Sequence, residues 1–147
     1  MSSTQFVVQI QTWDWPLHVG VKPRSVLDDL GRDGDLLSSE AIVIDGLVLS
    51  PQEHATKSIQ FHLYPLPREA IFDGRENRDV GRLHRKPIER SELDFYASLF
   101  LPADTLHSAI LCLNSKWQGL HMWVGDDAEP DAVTDFGFFG HLKPESP

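Results

Sequence analysis

From Gln5 to Thr12 the chain alternates, with Phe6, Val8 and Ile10 in one set and Gln5, Gln9 and Gln11 in the other, the period of a half-buried strand. Trp13-Asp14-Trp15-Pro16 interrupts the pattern, because proline has no N–H to give to a ladder, and Leu17, Val19 and Val21 then resume it. These runs predict two strands joined by a tight connection. Ser25, Asp28 and Gly31 bracket Val26, Leu27 and Leu30 in the manner of a short helical turn. Ala41-Ile42-Val43-Ile44, Asp45-Gly46 and Leu47-Val48-Leu49 make the strongest short hairpin signal in the chain, and one long strand bulged at Gly46 is the competing reading. Ser58 to Tyr64 alternates without error, Ile59, Phe61 and Leu63 against Ser58, Gln60, His62 and Tyr64.

Pro65-Leu66-Pro67 ends that strand, and Arg68 to Asp79 has no sustained period, so it reads as a long charged loop. Gly81 to Ile88 suits a strand with a basic outer face. Leu93, Phe95, Ala97, Leu99 and Leu101 give five alternate apolar positions, the pattern of a central strand stopped by Pro102. From Ala103 the period becomes 3.6, with Leu106, Ile110, Leu113 and Trp117 along one face and Asp104 in the first turn, which predicts an amphipathic helix over about 103–115. Gly119 to Val124 and Ala132 to Phe139 read as a C-terminal hairpin around the turn formers of 125–131, with Lys143 to Pro147 a frayed tail. The expected fold is mainly β (α+β): an antiparallel sheet or β-sandwich of about eight short strands, with the helix packed on it.

The 147 residues, 41% hydrophobic and 24% charged, suit one globular domain spanning 1–147. A net charge of −9 opposes the basic surface that a phosphate backbone requires, which argues against nucleic acid as a partner. Arg75, Arg78, Arg82, Arg85, Lys86 and Arg90 cluster, but Glu76, Asp79, Glu89 and Glu92 lie among them and make a mixed-charge surface. Cys112 is the only cysteine, so no intramolecular disulfide forms. The polar start lacks the pattern of a signal peptide, and no apolar run approaches the ~20 residues of a membrane-spanning helix. The expectation is a cytoplasmic chain with no membrane partner.

Seven histidines raise metal binding and acid–base chemistry, yet none stands at a ligand spacing such as His-Glu-x-x-His, and no metal or cofactor is expected. Asp126, Asp127, Glu129 and Asp131 do not follow a calcium-loop spacing. Cys112 falls about 120° from the centre of the helix stripe on a wheel of ~100° per residue, a boundary position. The serines and glycines form no nucleophile-elbow or phosphate-loop pattern. A site could still be assembled from His62 and Tyr64 on one strand and His121 and Trp123 on another, with Asp135 as an orienting carboxylate, if those strands are neighbours.

Among the tryptophans, Trp117 belongs to the helix stripe, whereas Trp13 and Trp15 flank a strand-ending turn and are candidate contact residues. The sequence favours a non-catalytic protein-binding module, such as a small acidic inhibitor, immunity or accessory protein, that meets a protein partner or associates with itself. The alternatives are a small hydrolase or metal-dependent enzyme using His62, His121 and Asp135, or a small-ligand or carbohydrate binder on the same face.

Overall fold

Closure of the sheet decides the architecture. The computed structural model describes residues 3–21, 36–72, 79–85, 93–115, 118–125 and 129–140. Seven strands form a barrel: β1 (Thr4–Asp14), β4 (Ile42–Ser50), β5 (Ser58–Leu66), β7 (Phe95–Pro102), β6 (Gly81–His84), β9 (Ala132–Phe139) and β8 (Gly119–Val124), in that order around the wall. β1 pairs with β4 on one side and β8 on the other, which completes the ring. The expected open sheet or sandwich is therefore corrected to a closed barrel, in which each strand has a neighbour on both sides over at least part of its length. The inward set is the alternating apolar set of each strand: Phe6, Val8, Ile42, Ile44, Ile59, Phe61, Leu63, Leu99, Leu120 and Met122 are fully buried.

All pairings in the barrel are antiparallel except β5 with β7. A clamp starts the parallel pair: the Asp94 carboxylate accepts from the Ser58 N–H at 2.9 Å and from its hydroxyl at 3.1 Å, while the Asp94 N–H donates to the Ser58 Oγ at 3.0 Å. These bonds, the Ser58 N–H foremost, hold the Asp94 carboxyl below its usual range. β5 also runs further than expected, through Pro65, which sits opposite Leu101 of β7.

The predicted connection at Trp13–Pro16 is absent. β1 and β2 (Leu17–Val21) run in one line beside β3 (Leu36–Glu40) and β4, and the register carries straight across the junction, from Asp14↔Val43 to Leu17↔Glu40. Pro16 costs one ladder bond, yet its carbonyl still accepts from the Ala41 N–H at 3.3 Å, and its fixed φ suits an extended chain. β2 and β3 thus form a two-stranded arm that continues the β1–β4 ribbon beyond the barrel.

A register shift between Ile10 and Thr12 makes Gln11 an extra residue opposite Asp45-Gly46. One inserted residue swaps the faces, so Phe6, Val8 and Ile10 at even positions share a face with Trp13, Trp15, Leu17 and Val19 at odd ones. Gly46 faces inward here and is needed for close approach, because a Cβ would stand 2.5 Å from the Val8 side chain and 2.7 Å from the Gln9 carbonyl. The chain passes through Asp45-Gly46 as one strand, so the hairpin reading does not hold and the long-strand reading does, with the extra residue at this level in β1 and not at Gly46.

The helix α1 (Leu106–Asn114) lies within the predicted 103–115, where Ala103–Thr105 form a 3-10 turn. It links the end of β7 to the start of β8, both at the end of the barrel from which the arm departs. Leu106, Ala109 and Leu113 join the barrel core, so α1 closes that end. No helix among the described residues is long and apolar enough to cross a membrane. The predicted turn at Ser25–Gly31, Trp117, the basic cluster apart from Arg82 and Arg85, Asp126, Asp127 and the tail lie outside the described residues.

Candidate functional site

The shorter route around the wall from β5 to β8 passes through β4 and β1, so His62 and Tyr64 stand on the outer face of one wall and His121 and Trp123 on the outer face of another. The pleat places each pair correctly on a polar face, but the barrel keeps the two pairs apart. Asp135 lies opposite Trp123 on β9 and is exposed. His121 packs as an aromatic ring. It lies against Gly137, where a Cβ would come within 3.0 Å of its Nε2, and stacks on Phe139 at 6.3 Å between centroids. Its buried Nδ1 has no hydrogen-bond partner among the described residues.

Other residues gather around His62. The registers of β1–β4, β4–β5, β5–β7 and β6–β7 put Thr12, Asp45, Gln60, Tyr96 and His84 in one row across five strands. Such cross-strand neighbours interact because their Cβ atoms lie about 4.5–5.5 Å apart. The Thr12 hydroxyl and the Gln60 amide N–H donate to the two oxygens of Asp45, at 3.3 and 2.9 Å. Asp45 as a carboxylate only accepts, so the Gln60 amide nitrogen must face it and the amide oxygen must face His62. The His62 Nε2 therefore carries the proton and donates to Gln60 Oε1 at 2.7 Å. Nδ1 is left as the acceptor, 3.5 Å from the Tyr64 hydroxyl, which lies 3.3 Å from that of Tyr96. The rings of His62 and Tyr96 are 4.7 Å apart, and His84 stands 5.4 Å beyond Tyr96.

Burial lowers the His62 pKa from its ordinary value, against an opposing pull from Asp45, so the imidazole is neutral at pH 7. The Tyr64 phenol is pushed up to about 12, first by its hydrogen bond to Tyr96 and then by burial, and keeps its proton. The sign of the His62 effect is testable. Below the ordinary histidine value of about 6.5 the unfolded chain takes up the proton more readily than the folded one, so stability falls as pH drops from 7 toward 5. His62→Asn should reduce that decline in urea titrations; an unchanged pH slope would show that His62 is not held neutral.

Tyr64 also borders a second feature. Where the arm leaves the barrel, Pro16, Leu17, His18, Glu40, Ala41 and Tyr64 line a cavity of about 380 Å³. Glu40 is shared with the arm, since its carboxylate accepts the Trp15 indole N–H at 2.7 Å. Along the arm, Trp15 is 40% exposed, Leu17 55% and Val19 56%, all on the face that is buried inside the barrel at Ile42 and Ile44. Trp13 differs: it is partly buried and packs on the core. Trp123 is half-buried on the wall of β8. In the predicted loop, Arg68 pairs with Asp104 at 2.9 Å, Ile71 is buried and Phe72 exposed, and 73–78 lie outside the described residues.

Among the described residues no three of His, Cys, Asp and Glu gather to hold a metal ion. Sequence reading missed Tyr96, His84, Gln60 and Asp45. Each is a polar or aromatic residue at an outward strand position, but only the register reveals that they form one row. No family model, curated protein or solved structure matches this chain.

Proposed function

We propose that the protein is a non-catalytic binding module that grips a protein partner with its arm, in the manner of a small acidic inhibitor or accessory protein. The observation that carries this reading is the row Trp15, Leu17 and Val19, exposed on a ribbon that has left its own barrel. An isolated two-stranded ribbon is at best marginally stable in water, and apolar side chains along one face of it gain by being covered. Glu40 beside the row, with a net charge of −9, favours a partner with a basic rim. Replacing both Leu17 and Val19 with aspartate should weaken partner capture or self-association at least about 30-fold while leaving the thermal midpoint within a few degrees. Binding that survives both charges would exclude the arm.

A second reading, a small-ligand or carbohydrate binder, is favoured by the adjoining rings of His62, Tyr96 and His84, where rings and hydroxyls share one outer wall. Tyr96→Ala separates the two, because it would remove sugar binding and leave arm-mediated binding intact.

A further inference from the structure

Among the described residues the barrel wall has a gap before the start of β6. β6 pairs with β7 and β9 only from Gly81 onward, with Val80 adding one bond to each neighbour: its N–H donates to the Val133 carbonyl at 2.8 Å and its carbonyl accepts from the Phe100 N–H at 2.7 Å. Past that level β7 continues to Pro102 and β9 continues through Thr134 to Phe139. Neighbouring strands lie about 4.8 Å apart, so two strands that flank a third stand roughly 9.6 Å apart once it has ended. The result is a slot one strand wide. A cavity of about 410 Å³ fills it, with Val80 at the bottom, 100–102 on one wall, 134–138 on the other, and Ser108 and Cys112 of α1 above.

The backbone of β9 is oriented for pairing. The Gly125 N–H donates to the Ala132 carbonyl, which makes 125 and 132 a hydrogen-bonded pair. Following the register through the bulge between Trp123 and Val124, the alternation of an antiparallel ladder turns residues 135, 137 and 139 toward β8. The N–H and C=O groups of Phe136 and Phe138 then point into the slot, and among the described residues no strand pairs with them. On the β7 wall the Phe100 N–H is taken by the Val80 carbonyl, Pro102 has no N–H, and the Pro102 carbonyl accepts from the Thr105 hydroxyl at 2.8 Å. Side chains define the other two directions. Phe136 and Phe138 face the core, whereas Asp135 is exposed on the outer surface.

We propose that this slot binds an extended peptide segment of a partner protein, which adds as a strand to β9 in line with β6. An entering segment places alternate side chains on opposite faces, apolar ones inward toward Leu101, Ala109 and Phe136 and basic ones outward toward Asp135. Pairing at Phe136 and Phe138 sets a length of about three to five residues. The site is distinct from the arm and does not rest on the arm reading.

Two peptides test it: fluorescein-labelled Leu-Lys-Leu-Lys-Leu, and the same sequence N-methylated at its central residues. The plain peptide should bind saturably by anisotropy, and N-methylation, which removes backbone donors, should weaken it at least about tenfold. Replacing its lysines with glutamate should also weaken it at least about tenfold. Ser108→Trp, at an exposed helix position lining the slot, should abolish binding, while Trp15→Ala should leave it unchanged. On the unmodified protein the plain peptide should slow iodoacetamide alkylation of Cys112, so the result does not depend on any variant folding. Equal binding of the N-methylated peptide would overturn the proposal in favour of a pocket for small hydrophobic molecules. No binding at about 1 mM, unprotected Cys112, or full binding to a folded Ser108→Trp chain would each overturn it as well.

Discussion

Leu113→Ala should lower the free energy of unfolding by about 2–5 kcal/mol, the range for removing a buried leucine side chain that leaves a cavity behind. Leu113 is 5% exposed and, with Leu106 and Ala109, forms the inward side of α1 at the closed end of the barrel. The surrounding strands are tied into a ring and have little freedom to collapse into the space, which argues for the upper part of the range. Leu111, two residues away, is 56% exposed, and its replacement by alanine should change stability by no more than about 0.5 kcal/mol. Urea titrations of the two variants provide the check. Equal effects would mean that α1 does not close the barrel with the face assigned to it.

The strands were legible where one face is fully buried. In β5 and β7 the inward set is unbroken, and the alternation of Ile59, Phe61 and Leu63, or of Phe95, Ala97, Leu99 and Leu101, is a direct record of it. The helix was legible for the same reason, through the change of period after Pro102. Closure was not, because it depends on β1 meeting β8, at the far end of the chain, and on β6, only four residues long, bridging β7 and β9. The parallel pairing of β5 with β7 likewise joins distant residues, starting from the clamp between Ser58 and Asp94.

Pro16 was misread as a turn because a missing N–H looks the same in sequence whether the chain reverses or continues. The clue lay in parity. The apolar set moves from even positions at Phe6, Val8 and Ile10 to odd positions at Leu17 and Val19, and one bulged residue at Gln11 reconciles them on one face. That bulge also divides the two candidate tryptophans, packing Trp13 on the core and leaving Trp15 beyond the barrel. His62 and Tyr64 were correctly placed on an outward face, but their companions across the wall are set by register, which periodicity alone does not encode.

The arm is the centre of this account, and Trp15 is its largest exposed side chain. Its ring is held by the indole N–H bond to Glu40 and offers a flat apolar surface beside Leu17 and Val19, the character of an interface anchor. Trp15→Ala deletes that anchor at a position outside the core cluster. The decisive measurement is the affinity of the wild-type and Trp15→Ala chains for the same purified partner, or for themselves, with thermal midpoints taken in parallel. The expected result is a loss of about 2 kcal/mol, roughly 30-fold in Kd, with the midpoint nearly unchanged. Unchanged affinity, or a Trp15→Ala chain that unfolds, would contradict it.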